Sequence, residues 1–144
     1  MAETVASILK NKGGAIWSVD HKSTVYEAIA LMAEKSVGAL LVLSEGRLVG
    51  IISERDYARK VILQGRSSSD TRVEEIMTGS VVTVGPGHSI EECMKIITER
   101  RIRHLPVVDG DNLLGMISIG DLVNAIIADQ VETIHHLHTY ISGR

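Results

Sequence analysis

Apolar and polar positions along this chain follow one pattern twice. Val19 through Ile62, moved 65 residues on, falls on Val84 through Ile127 without a gap. Val19 meets Val84, Leu40 meets Leu105, Val42 meets Val107, Leu48 meets Leu113 and Gly50 meets Gly115. Ile52-Ser53 meets Ile117-Ser118, and Asp56 meets Asp121. A long period with apolar positions kept in phase marks a duplicated supersecondary unit. Two copies are too few for a solenoid, so they are expected to pack on each other about a pseudo-twofold axis, with a cleft between related surfaces.

Within each copy the pattern predicts strand, helix, strand, strand, helix, giving an α/β (α+β) fold of two β-α-β-β-α units. The first helix opens on Thr24-x-x-Glu27 in one copy and Ser89-x-x-Glu92 in the other, both with capping-box spacing. Val25, Ala28, Ile29 and Met32, and then Ile90, Cys93, Met94 and Ile97, recur at helical spacing. Two short apolar runs follow, Ala39–Leu43 with Leu48–Ile52, and Leu105–Val108 with Leu113–Ile117. Their turns, Ser44-Glu45-Gly46 and Asp109-Gly110-Asp111-Asn112, read as hairpins, and the second lacks the remaining ligands of a calcium loop. The expected organisation is a helical segment over 1–14, repeats over 15–64 and 80–128, a linker with a short helix over 65–79, and a closing helix over 129–144. The linker helix is expected to be capped by Thr71-x-x-Glu74, and the N-terminal one to end at Gly13-Gly14.

Composition narrows the function classes. The chain has 144 residues and 44% hydrophobic content, enough for a core of its own. A net charge of −3, with three Tyr, one Trp and no Phe, argues against a nucleic-acid partner. The first residues lack the apolar run of a secretory leader, and no stretch is apolar enough for a membrane span, so a cytoplasmic protein without a membrane partner is expected. Cys93 is the only cysteine and lies on the apolar helix stripe, where an inert core thiol is expected. His135, His136 and His138 share a helical face, but no Cys or carboxylate cluster beside them completes a site, so no metal is expected. Ile127, Val131, Ile134, Leu137 and Ile141 form an apolar stripe that calls for a partner subunit.

Enzyme motifs are mostly absent. There is no phosphate loop of the Gly-x-x-x-x-Gly-Lys type, and Gly85-Pro86-Gly87 fails as a dinucleotide fingerprint because Ile90 stands where a third glycine belongs. Binding is better supported, at the second helix of each repeat. Ser53 and Ser118 stand at helix N-caps, where free N–H groups and the dipole favour an anion. Asp56 and Asp121, three residues on, can accept hydrogen bonds from a vicinal diol such as ribose. Capping alone explains such a pair in most proteins. Its occurrence in both repeats, after a Gly-apolar-apolar-Ser strand end, shifts the balance.

Gly50-Ile51-Ile52-Ser53-Glu54-Arg55-Asp56 and Gly115-Met116-Ile117-Ser118-Ile119-Gly120-Asp121 resemble the closing signature of CBS domains. Arg103-His104-Leu105-Pro106-Val107-Val108-Asp109 resembles their central strand, and Val73-Glu74-Glu75-Ile76-Met77-Thr78 the bridge between two of them. The resemblance covers roughly residues 15–128 and implies a tandem pair, a Bateman module, without an attached enzyme or channel domain. It further implies adenosine-containing ligands (AMP, ATP or NAD) held in clefts between the repeats, flat homodimers, and a signal passed to a separate effector protein.

The same resemblance implies unequal clefts. Ser53 and Asp56 would face Arg103 and His104 of the other repeat, with Arg55 as a third cation. Ser118 and Asp121 would face Gly38 and Ala39, which bring no charge, and Gly120 replaces Arg55. The Asp56 site is therefore expected to hold a nucleotide phosphate more tightly. Pro106 would rest near the base, with Ser23 and His88 as further contacts. Two other readings stay open: a structural interaction module with decayed sites, and a nucleotide hydrolase for which His104 is the only obvious base.

Overall fold

The structure is a computed structural model. It describes residues 4–13 and 15–141, and the side chains of these except residues 132, 133 and 136–141. The chain divides into two compact units. One comprises Ile16–Val82, the first repeat with its linker. The other joins the second repeat, from Thr83 onward, to the N-terminal residues up to Ala15.

In the first unit, β1 (Ser18–Asp20) leads to α2 (Val25–Lys35), followed by β2 (Ala39–Ser44) and β3 (Arg47–Ser53). Helix α3 (Glu54–Tyr57) continues as a π-helical turn over Ala58–Ile62, and a short α4 (Val73–Ile76) closes the unit. Strands β2 and β3 pair antiparallel, and β1 adds parallel to β2. Beneath them α2 buries Val25, Ala28 and Met32 against Leu40, Val42 and Ile52. Each of the larger of these side chains, Val, Leu, Ile or Met, contributes about 1.5–3 kcal/mol of burial.

The other unit repeats this arrangement in α5 (Ile90–Arg100), β4 (His104–Asp109), β5 (Asn112–Ser118) and α6 (Ile119–Ile141), with α1 (Val5–Lys12) packed on it. The agreement extends to single hydrogen bonds. Ala39 pairs with Ser53 as His104 pairs with Ser118, and the register shifts after Val42 as it does after Val107. Helices α2 and α5 both end on a left-handed residue, Ser36 at φ 55° and Arg101 at φ 54°. In each case the next N–H returns to the last turn, Val37 to Met32 O and Ile102 to Ile97 O. Ile90, Cys93, Ile97, Leu105, Val107 and Ile117 are buried in the places of Val25, Ala28, Met32, Leu40, Val42 and Ile52.

A further equivalence runs at a spacing of 68 rather than 65. Val73 N–H donates to Ser23 O and Glu74 N–H to His21 O, just as Val5 N–H donates to His88 O and Ala6 N–H to Pro86 O. Val5 and Ile8 are buried like Val73 and Ile76. Both segments lie against a strand glycine. A Cβ on Gly50 would stand 2.6 Å from Met77 Sδ and 2.9 Å from Thr78 O, and one on Gly115 would stand 3.0 Å from Leu9 Cδ2. Thus α1 caps the second repeat as α4 caps the first.

Two expectations change in detail. The first strand of the second repeat is a single parallel bridge, Val84 with Val107. The cause is Pro106, in the place of Leu41, whose N–H donates to Trp17 O; proline has no such donor. The linker helix is capped at Arg72, whose N–H donates to Glu75 Oε2 at 2.7 Å, while the buried Thr71 donates its hydroxyl to Ser67 O. Helix α6 runs unbroken from Ile119 to Ile141.

Gly50→Ala is expected to cost about 1–3 kcal/mol of stability, because the added methyl meets Thr78 backbone. Gly79→Ala, with nothing within 4 Å, should change little. Urea unfolding of both variants checks this; equal losses would contradict the close approach of the cap.

Candidate functional site

Each repeat brings the end of its last strand, the start of the following helix and the entry of its first antiparallel strand to one corner. The register does this: Ser53 lies across from Ala39, and Ser118 across from His104. The first helical N–H then returns to the residue ahead of the strand, Glu54 to Gly38 O at 3.0 Å and Ile119 to Arg103 O at 2.9 Å. Gly38, Ala39, Ser53 and Asp56 therefore gather in one unit, and Arg103, His104, Ser118 and Asp121 in the other.

The Ser–Asp pairs are closed locally. Ser53 N–H donates to Asp56 Oδ2 at 3.0 Å, and Asp56 N–H returns to Ser53 Oγ at 3.2 Å. The Ser53 hydroxyl also donates to Oδ2. Ser118 and Asp121 make the same reciprocal bonds at 2.8 and 3.1 Å. These bonds fix each carboxylate at the first helical turn, half-buried beside the strand entry.

Each aspartate also meets a lysine that was not among the expected residues. Lys60, one turn on, stands 3.2 Å from Asp56 Oδ1 and donates to Ile76 O of α4 at 2.8 Å. Lys12, on α1, donates to Asp121 Oδ2 at 2.9 Å and to Met116 O at 2.8 Å. Lys12, which belongs to neither repeat, thus brings a cation to Asp121. Burial pushes the Asp121 carboxyl up, but the Lys12 ammonium and Ser118 N–H outweigh it and hold the group below the usual carboxylate range. His104 lies in the same field. Burial, with Lys12 and Arg103, lowers its pKa against the pull of Asp121, so the imidazole favours its neutral form.

The other expected contacts fall into place as follows. Arg55 and Arg103 are exposed, and Arg55 is in none of the ion pairs among the described residues. Pro106 is buried. Ser23 and His88 hold the cap segments through their carbonyls, and the His88 ring accepts from Gly85 N–H at 2.9 Å. Cys93 is buried, its thiol pushed up to about 11 chiefly by burial, which suits a core group rather than a nucleophile. No group of three metal-ligating side chains occurs among the described residues, and the side chains of His136 and His138 lie outside them.

Comparison with known proteins now decides the family. The CBS domain family model matches residues 14–62 and again 73–128. This chain belongs to the CBS domain family. A CBS domain-containing mitochondrial protein of Arabidopsis thaliana is 41% identical over 97% of this chain and 72% of its own. A protein with CBS domains from Burkholderia ambifaria is 58% identical over 88% of this chain and 96% of its own, with a TM-score of 0.85. A more distant CBS domain pair, 24% identical over 90% of this chain and 99% of its own, has a TM-score of 0.80 and was solved with 5′-methylthioadenosine and S-adenosyl-L-methionine. The CBS pair is a regulatory module. No described helix is long and apolar enough to cross a membrane.

The depressed Asp121 carboxyl gives a pH prediction. A group with a lowered folded pKa stabilises above its unfolded pKa, and that contribution disappears as pH falls through the folded value. Asp121 is therefore expected to titrate below the ordinary aspartate range by carboxyl NMR, and Lys12→Met to move it upward. An unchanged titration in the variant would contradict the ion pair.

Proposed function

We propose that this chain is a non-catalytic regulatory module that binds adenine nucleotides, AMP, ATP or NAD-like, through the Ser–Asp corner of each repeat. The observation that carries this is the recurrence of the corner in identical register, in a family that contains a pair holding adenosine compounds. Asp56 and Asp121 would accept from the ribose, with Ser53 and Ser118 at the helix starts and the Gly38-Ala39 and Arg103-His104 strand entries beside them. Arg103, His104 and Arg55 would favour the phosphate, and Pro106 would lie near the base. Ser23 and His88 are secondary contacts, since both already serve the caps. A cytoplasmic location is part of the same proposal, although the plant relative is named mitochondrial.

Ligand binding can shift an equilibrium between two arrangements only by its differential affinity for them. A nucleotide held in the proposed corners would act in that way, with a separate effector protein as the receiver. A homodimer is part of the same proposal. Along α6 the side chains of Val123, Ile127, Val131 and Ile134 are exposed at helical spacing, Val131 at 61% and Ile134 at 66%. Such a stripe favours cover by another chain. Leu137 and Ile141, expected to extend it, have side chains outside the described set.

Isothermal titration of nucleotide-free protein with AMP, ADP, ATP, NAD and S-adenosylmethionine tests the reading. Saturable binding is expected, with one event lost in Asp56→Ala and another in Asp121→Ala. Failure of all five to bind would favour a structural interaction module. Val131→Glu is expected to turn dimer into monomer by light scattering; an unaltered mass would remove α6 from the interface.

A further inference from the structure

The two aspartates differ in what their carboxylates have left to offer. Asp56 is engaged at both oxygens, Oδ1 by Lys60 and Oδ2 by Ser53. Asp121 receives Ser118 N–H and the Lys12 ammonium on Oδ2 alone, so Oδ1 accepts from no described protein donor. An ionised carboxylate can accept at both oxygens, and an ammonium has three N–H groups. Lys12 uses two, on Met116 O and Asp121 Oδ2, and keeps one. A spare acceptor and a spare donor thus stand side by side, fixed by a 2.9 Å contact. Both remain reachable, with side chains 41% and 20% exposed, and both border a groove of about 240 Å³ that Asn11 and Asn124 also line.

The lysine is placed deliberately by the fold in a second sense. Where the first repeat has Lys60, the second has Ala125, 65 residues on. Where the second repeat's cap has Lys12, the segment after α4 has Ser80, 68 residues on. Each aspartate receives one ammonium, by two different routes.

A vicinal diol complements the pair at Asp121. Its hydroxyls lie about 2.8 Å apart, and each can both donate and accept. We propose that Lys12 and Asp121 together read a ribose 2′,3′-diol, the 3′-hydroxyl donating to Asp121 Oδ1 and the 2′-hydroxyl accepting from Lys12 Nζ, so that the N-terminal helix completes the second repeat's ligand site. Lys12 is then a specificity residue for ribose over deoxyribose. This rests on the adenosine-ligand reading above.

The test uses the full chain carrying Asp56→Ala, which leaves the second site, titrated with AMP and with 2′-deoxy-AMP. AMP is expected to bind about ten- to a hundredfold more tightly, the value of one neutral-to-charged hydrogen bond. Adding Lys12→Met should cut that ratio to about twofold or less, and Lys12→Arg, which keeps a donor, should retain most of it. Amide exchange of residues 5–12 in each variant reports whether α1 stays docked. An unchanged ratio in Lys12→Met overturns the inference. So does an equal loss for both nucleotides accompanied by faster exchange in α1, because Lys12 would then only hold the helix. If the wild-type protein binds neither nucleotide, the adenosine reading itself fails; binding without ribose preference overturns the Lys12 role alone.

Discussion

The register between the two antiparallel strands of each repeat is the constraint on which the rest depends. Side chains alternate along a strand, so a slip of one residue would turn Leu40, Val42 and Ile52 away from α2 and expose them. Burial of those three against Val25, Ala28 and Met32 locks the pairing, and the same lock operates on Leu105, Val107 and Ile117. With the register set, Ser53 must end opposite Ala39 and Ser118 opposite His104. The helix that follows has to begin there, and its first-turn aspartate has to point back at the serine N–H. The chemistry of the corner is therefore a consequence of hydrophobic pairing one and three residues away.

A second constraint is closure. Neither repeat finishes its own core, and each takes a short segment from outside its β-α-β-β-α unit. The segment buries a valine and an isoleucine, Val73 with Ile76 or Val5 with Ile8, and rests on a strand glycine. The glycines at 50 and 115 have no side chain because the cap occupies that space. Borrowing α1 for the second repeat also brings Lys12 to Asp121, which changes the electrostatics of that corner from what the repeat alone would provide.

Much of this was legible in the sequence. The spacing of 65 carried the strands, the helices, the hairpin turns and the Ser–Asp pairs, because one set of buried positions dictates all of them. The cap equivalence was harder to see, since it runs at 68 and rests on three residues: Val5, Ile8 and Leu9 against Val73, Ile76 and Met77. The Lys12–Asp121 contact spans 109 residues and has no local pattern to announce it. Pro106 did carry a signal, because a proline in an inner strand removes a ladder donor, and that accounts for the shrunken first strand of the second repeat. Thr71 has the right residue type for a cap, but its hydroxyl is taken by Ser67 O, and Glu75 serves Arg72 instead.

The proposed regulation by a small adenosine compound is local enough to test at single residues. The most direct measurement is a ¹H–¹⁵N correlation spectrum of the assigned protein during titration with AMP. The account predicts saturable shifts centred on the amides of Ser53, Asp56, Ser118 and Asp121, with the hairpin tips at Gly46 and Gly110 undisturbed. Saturable shifts that leave all four of those amides in place would contradict it.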